Sequence, residues 1–150
     1  MTMIRSLITV VALSALLGGC ATGGSVKGDP AKIVEQRALQ RWSLLIEHKA
    51  EQAYDLLSPG YRTTKSRDDY AREMDNRPVK WTKVSRYEDR PVDCSKPEVC
   101  TISLQLDYSI KIPGTSKSAT APSFLTETWI HDKGQWWYLP SGTGAGFRSK

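Results

Sequence analysis

The sequence is short of the side chains that most often carry chemistry. Its 150 residues include two histidines, three cysteines and two phenylalanines. His48 and His131 lie far apart, and no His/Cys/Asp set has metal-ligand spacing, so no metal centre is expected. Neither a phosphate-binding glycine loop nor a nucleophile elbow occurs, and no cofactor is expected. No block of five or six like charges appears. The basic residues between Arg62 and Arg90 are interleaved with Asp68, Asp69, Glu73, Asp75, Glu88 and Asp89. That pattern reads as a solvated face and argues against nucleic acid as a partner, which needs an uncompensated positive field. No apolar run approaches the roughly 20 residues of a membrane-spanning helix. What remains, 39% hydrophobic and 9% aromatic residues with a net charge of +5, describes one globular domain.

The first twenty residues have a distinct logic. Arg5 is the only charge before Lys27, residues 7–17 are apolar apart from Thr9 and Ser14, and Gly18, Gly19 and Cys20 follow. A charged start, a short apolar stretch and a small-residue cleavage site predict an export signal over residues 1–19. Leu17-Gly18-Gly19-Cys20 resembles the bacterial lipobox. The resemblance implies cleavage before Cys20, diacylglycerol on its thiol and a further acyl chain (palmitate or similar) on its amine. Ala21 in place of the retention aspartate points to the outer membrane, facing the periplasm. Residues 20–28 are small and glycine-rich and predict a flexible tether.

Export to an oxidising compartment makes the remaining cysteine pair, Cys94 and Cys100, a predicted disulfide. The five residues between them contain Pro97 and predict a turn, with the bond stapling the base of a hairpin. Closing so short a loop stabilises by about 2 kcal/mol in the chain-entropy picture.

Along the mature chain, Asp29-Pro30 predicts a helix start. Val34, Ala38, Trp42, Leu45, Ala53, Leu56 and Leu57 then predict one amphipathic helix over 30–57, about 42 Å long, ended by Ser58-Pro59-Gly60. Ser66 and Asp69 form a variant capping box for a short second helix to about Asp75, with Tyr70 and Met74 inward. Strands follow. The first covers 79–91, with Trp81 and Val84. Residues 100–112 show seven apolar side chains at a period of two. A loop over 113–122 precedes a strand over 124–131, and a tight turn at Asp132-Lys133-Gly134-Gln135 leads into residues 136–139. The domain is thus expected over 29–140, with a loose tail over 141–150. Helices followed by strands predict an α+β fold. Its long N-terminal helix and short helix would pack on a curved, cone-like antiparallel sheet.

The inward aromatic of the long helix, Ala53-Tyr54-Asp55-Leu56-Leu57-Ser58-Pro59 with Tyr61-Arg62, and the ending from Thr126 through Trp129 to Leu139 resemble the nuclear transport factor 2-like (cystatin-like cone) superfamily. The resemblance covers about residues 30–140. It implies the fold but leaves function open, because members include isomerases, dehydratases, secretion-system subunits and binding domains.

For chemistry, the residues offer one alternative. Glu127 lies two residues from both Leu125 and Trp129, and facing a pocket it would be a general acid/base, with Tyr54 or Tyr61 as hydrogen-bond donor. As a lone carboxylate in a strand it is instead read as a surface group. Asp107 falls on a polar strand face, and His48 and His131 read as solvated. The aromatics Trp42, Tyr54, Tyr61, Tyr70, Trp81, Trp129, Trp136 and Trp137 are read as filling the cone, with one of the adjacent pair Trp136 and Trp137 turned outward as a contact surface. The sequence therefore predicts a non-catalytic binding module on a lipid anchor, for an envelope protein, a wall component or a small apolar ligand. A cone-pocket enzyme and a structural subunit of an envelope assembly are the alternatives.

Overall fold

A computed structural model describes residues 28–141 of the chain. The export signal, Cys20, the tether up to residue 27 and the tail from residue 142 lie outside the described residues. Four helices, α1 (Pro30–Ile46), α2 (Ala50–Tyr54), α3 (Pro59–Thr64) and α4 (Arg67–Asp75), precede five strands. These are β1 (Lys80–Arg86), β2 (Asp93–Lys96), β3 (Val99–Lys111), β4 (Ser118–Asp132) and β5 (Gln135–Leu139). All pair antiparallel in the order β1-β3-β4-β5, with β2 beside the start of β3. The sheet is curved and unclosed, and the fold is α+β as expected.

The helix starts follow the caps. The Asp29 carboxylate accepts the Ala31 amide at 3.0 Å, and Pro30 occupies the first turn. Ser66 Oγ accepts the Asp69 amide at 3.1 Å and donates to its carboxylate at 2.7 Å, so the variant capping box forms.

The single helix predicted over 30–57 is broken. Lys49 N–H donates to Leu44 O at 2.8 Å and His48 N–H to Leu45 O at 3.2 Å. These are the paired bonds of a Schellman ending, with His48 at φ 58° in the left-handed position usually held by glycine. The break lets α2 turn Ala50, Ala53 and Tyr54 into the core, although no apolar residue stands at 48 or 49 to continue the α1 stripe. Ser58 does not end a helix. It caps α3, accepting the Tyr61 amide, and its own amide donates to Tyr138 O at 2.8 Å. Tyr138 N–H in turn donates to Leu56 O, so residues 56–58 line the free edge of β5.

The strand over 79–91 is shorter than predicted. A bulge between Trp81 and Lys83 puts Trp81 opposite Tyr108 and Val84 opposite Leu106, which explains the weak alternation there. The 113–122 loop is also shorter than predicted, because β4 begins at Ser118 and pairs with β3 along thirteen residues. Pro122 is tolerated because β5 does not reach that far along β4, so no ladder bond is lost on that side. The disulfide between Cys94 and Cys100 is present, with Cα atoms 4.2 Å apart across the β2–β3 hairpin. The core gathers Val34, Ala38, Trp42 and Leu45 of α1 against Ile102, Leu104, Leu106 and Trp129 of the sheet.

Candidate functional site

The candidate acid/base residue does not face water. Glu127 is 1% exposed on the inner face of β4, in register with Leu125 and Trp129. The expectation of a solvated carboxylate is overturned. Leu125, Glu127 and Trp129 share the core side, while Phe124, 53% exposed, takes the outer side.

Its partners are set by α1. Arg41 Nη2 donates to Glu127 Oε1 at 2.5 Å, and Trp42 Nε1 donates to the same oxygen at 2.7 Å. Trp129 Nε1 donates to Oε2 at 3.1 Å. Arg41 is 3% exposed, and its Nη1 donates to the Tyr70 hydroxyl at 3.3 Å. Its guanidinium also lies 3.9 Å from the ring centre of Tyr138 and 4.8 Å from that of Trp42. Burial is the largest single influence and works to lower the Arg41 pKa, but the Glu127 carboxylate and the Tyr70 and Tyr138 phenols together outweigh it and hold the guanidinium above its usual range. Burial raises the Tyr70 phenol and pushes Tyr138 up to about 12.

The arrangement explains three buried aromatics at once. An indole N–H out of water needs an acceptor, and one carboxylate serves both Trp42 and Trp129, while the cation beside it serves Tyr70. With three donors on two oxygens, Glu127 has its charge matched and both oxygens hydrogen-bonded. A carboxylate so held has no access to a substrate proton.

The tyrosines once paired with Glu127 as donors are elsewhere. The Tyr54 hydroxyl donates to Arg62 O at 3.1 Å and Lys65 O at 2.7 Å, closing the end of α3. Tyr61 is half-buried against the core. Trp81 is buried edge-on to Trp42 at 4.9 Å, with no acceptor for its indole N–H among the described residues.

His48 is exposed, but at the turn after α1 rather than on a helix face, with Nδ1 3.9 Å from Asp75. His131 is half-buried, 5.1 Å from the Trp136 ring, rather than solvated at a hairpin tip. Asp107 accepts from Gln105 Nε2 at 3.1 Å on the outer side. No group of three or more His, Cys, Asp or Glu with metal-holding geometry occurs among the described residues. A cleft of about 260 Å³ lies outside α2 and α4, lined by His48, Lys49, Glu51, Gln52, Ala71 and Asp75, and does not include Glu127.

Trp136 and Trp137 do take opposite sides. Trp136 is buried, and Trp137 is half-buried on the other side of β5. There, Arg37 of α1 and Arg62 of α3 place their guanidinium carbons 5.3 and 5.2 Å from its ring centre.

Arg41 was not among the residues singled out from sequence, yet its signal was present. It falls three after Ala38 and four before Leu45, a lone cation on an apolar helical stripe, as Glu127 is a lone anion on an apolar strand stripe. Fold and site together define an α+β domain whose interior is organised by one buried ion pair. No family model matches the chain, and no curated protein matches it.

Proposed function

We propose that this protein is a non-catalytic binding module of the cell envelope, held by lipid on Cys20 and built on a nuclear transport factor 2-like cone. The observation that carries the non-catalytic part is the state of Glu127, the one carboxylate the sequence offered to an enzyme: it is enclosed by Arg41, Trp42 and Trp129. The support for the address is the sequence of residues 1–28, with its lone Arg5, short apolar run and Leu-Gly-Gly-Cys ending. In this reading the working surface is on the outside of the domain, and Trp137 at the β5 edge belongs to it.

The test is made on protein extracted from cells in mild detergent. Radioactive palmitate labels the wild type, and Cys20→Ser abolishes the label; labelling that survives the substitution removes the anchor. Native mass spectrometry of the same material shows a retained ligand or partner. Substrate turnover that Glu127→Gln eliminates in a folded protein would overturn the non-catalytic reading.

A further inference from the structure

Arg37 is the odd cation of this surface. Most other arginines of the described region have carboxylate partners: Arg41 has Glu127, Arg67 has Asp55, Arg72 has Asp69, Arg77 has Glu73 and Arg86 has Glu35, while Arg90, which has none among the described residues, is exposed to solvent. Arg37 is half-buried and has no ion pair or hydrogen bond among the described residues. Its Nε–H is out of contact with water and lacks an acceptor among the described residues, as do those of Arg41 and Arg77, but those two have carboxylates on their terminal nitrogens. Burial lowers its pKa, and no neighbouring anion acts in the other direction.

A second cation is held beside it. Arg62 lies over the same Trp137 ring, and its nearest carboxylate is Asp55 at 3.9 Å. That carboxylate is already gripped by both nitrogens of the Arg67 fork, at 2.6 and 3.1 Å. The nearest acid to Arg37 in sequence, Glu35, faces Arg86 at 3.5 Å. The indole N–H of Trp137 is occupied, donating to Asp132 O at 3.2 Å, so the ring is fixed as a platform. Two guanidinium groups from two helices therefore lie over one ring, Arg37 with no carboxylate among the described residues and Arg62 with only the long contact to an Asp55 that Arg67 already holds.

We infer that Arg37 and Arg62, set on Trp137, form a binding site for a phosphate-bearing anion. A guanidinium fork pairs with oxyanions through parallel charge-assisted hydrogen bonds. One fork occupies the bidentate edge of a carboxylate, whereas the tetrahedral oxygens of a phosphate present a further edge to a second fork. The apolar ring lowers the local dielectric and strengthens both contacts. A free phosphate group and an anionic lipid headgroup present this same chemistry. The inference rests on the binding-module reading and gives its outer surface a ligand class.

The test uses the full chain in neutral detergent and phosphate-free buffer, with ¹⁵N-labelled tryptophan indoles and Trp137→Phe to assign the Trp137 signal. One arm titrates sodium phosphate, a second adds phosphatidylglycerol to the micelles, and a third adds sodium chloride at matched ionic strength. A saturable shift of the Trp137 indole is expected with phosphate or phosphatidylglycerol and not with chloride. Phosphate alone sufficing identifies a soluble anion; a response confined to phosphatidylglycerol identifies the headgroup. R37Q/R62Q weakens the response at least about tenfold, the loss expected when hydrogen bonds to a charged group go. Should that double variant fail to fold, R37Q alone carries the same expectation. A Trp137 signal unmoved by both phosphate sources, moved equally by chloride, or unchanged by the substitutions overturns the site. A different ligand retained in native mass spectrometry would leave the binding-module reading standing while this site failed.

Discussion

Arg37 and Arg41 leave the same helix one turn apart and end in opposite circumstances. Arg41 is enclosed, yet its charge meets Glu127 and its rings are Tyr138 and Trp42. Arg37 is only half enclosed, yet nothing in the described chain neutralises it. Taking a guanidinium out of water is costly, and the cost is offset only when an anion and good hydrogen bonds replace the lost solvent. The inner arginine has that compensation from β4. The outer one lacks it among the described residues, so its position is explained by an anion from outside them. The lesson is that burial alone does not mark a functional charge; burial without a partner does.

The comparison breaks first at the inner pair. Glu127→Leu or Arg41→Met strands the opposite charge in the core, and each should cost about 3–5 kcal/mol. Urea unfolding of the full chain measures this. Replacing both together should cost less than the two single losses combined, because no charge is left unpaired. If Glu127→Leu unfolds at the wild-type midpoint, the pair does not organise the interior. A neighbouring phenol sharpens the same point. Unfolded tyrosine releases its proton near pH 10, whereas burial holds Tyr138 to about 12. The folded state then keeps a proton that the unfolded state has lost, so stability falls as pH rises from about 10 through 12. The decline attributable to Tyr138 is about 2 kcal/mol and should be missing in Tyr138→Phe, measured by thermal melts between pH 9 and 12. Equal slopes for the two proteins would show that the phenol is not held protonated by the fold.

Much of the frame was legible in the chain itself. Cys100, Ile102, Leu104 and Leu106 alternate with polar residues because β3 has one covered face, and Asp29 and Ser66 announced their helices by cap chemistry. The break after α1 was not legible, since a left-handed ending is usually marked by glycine and here is held by His48. Residues 118–123 have a loop-like composition and become strand only because β3 is long enough to recruit them. The ion pair joins positions 86 apart in sequence. Each half was visible as a charge on an apolar stripe, but their meeting depends on how α1 lies across the sheet. The unpaired state of Arg37 is harder still to foresee, because it depends on where every nearby carboxylate has already gone.

The smallest expected effect discriminates best between the two arginines. Arg37→Met keeps an unbranched apolar side chain and removes the guanidinium over Trp137, a charge with no anionic partner among the described residues. The same substitution at Arg41 is disabling, but at Arg37 the unfolding free energy should stay within about 0.5 kcal/mol of the wild type or rise above it. A buried N–H without an acceptor costs about 1–3 kcal/mol, and the variant no longer bears that cost. Urea midpoints for both variants, taken side by side in phosphate-free buffer, measure the contrast. A loss at Arg37 comparable to that at Arg41 would mean that its guanidinium has a structural partner and that both arginines serve the fold. A neutral or stabilising result, with the Trp137 response to phosphate gone, would place a residue that the fold does not need where a ligand does.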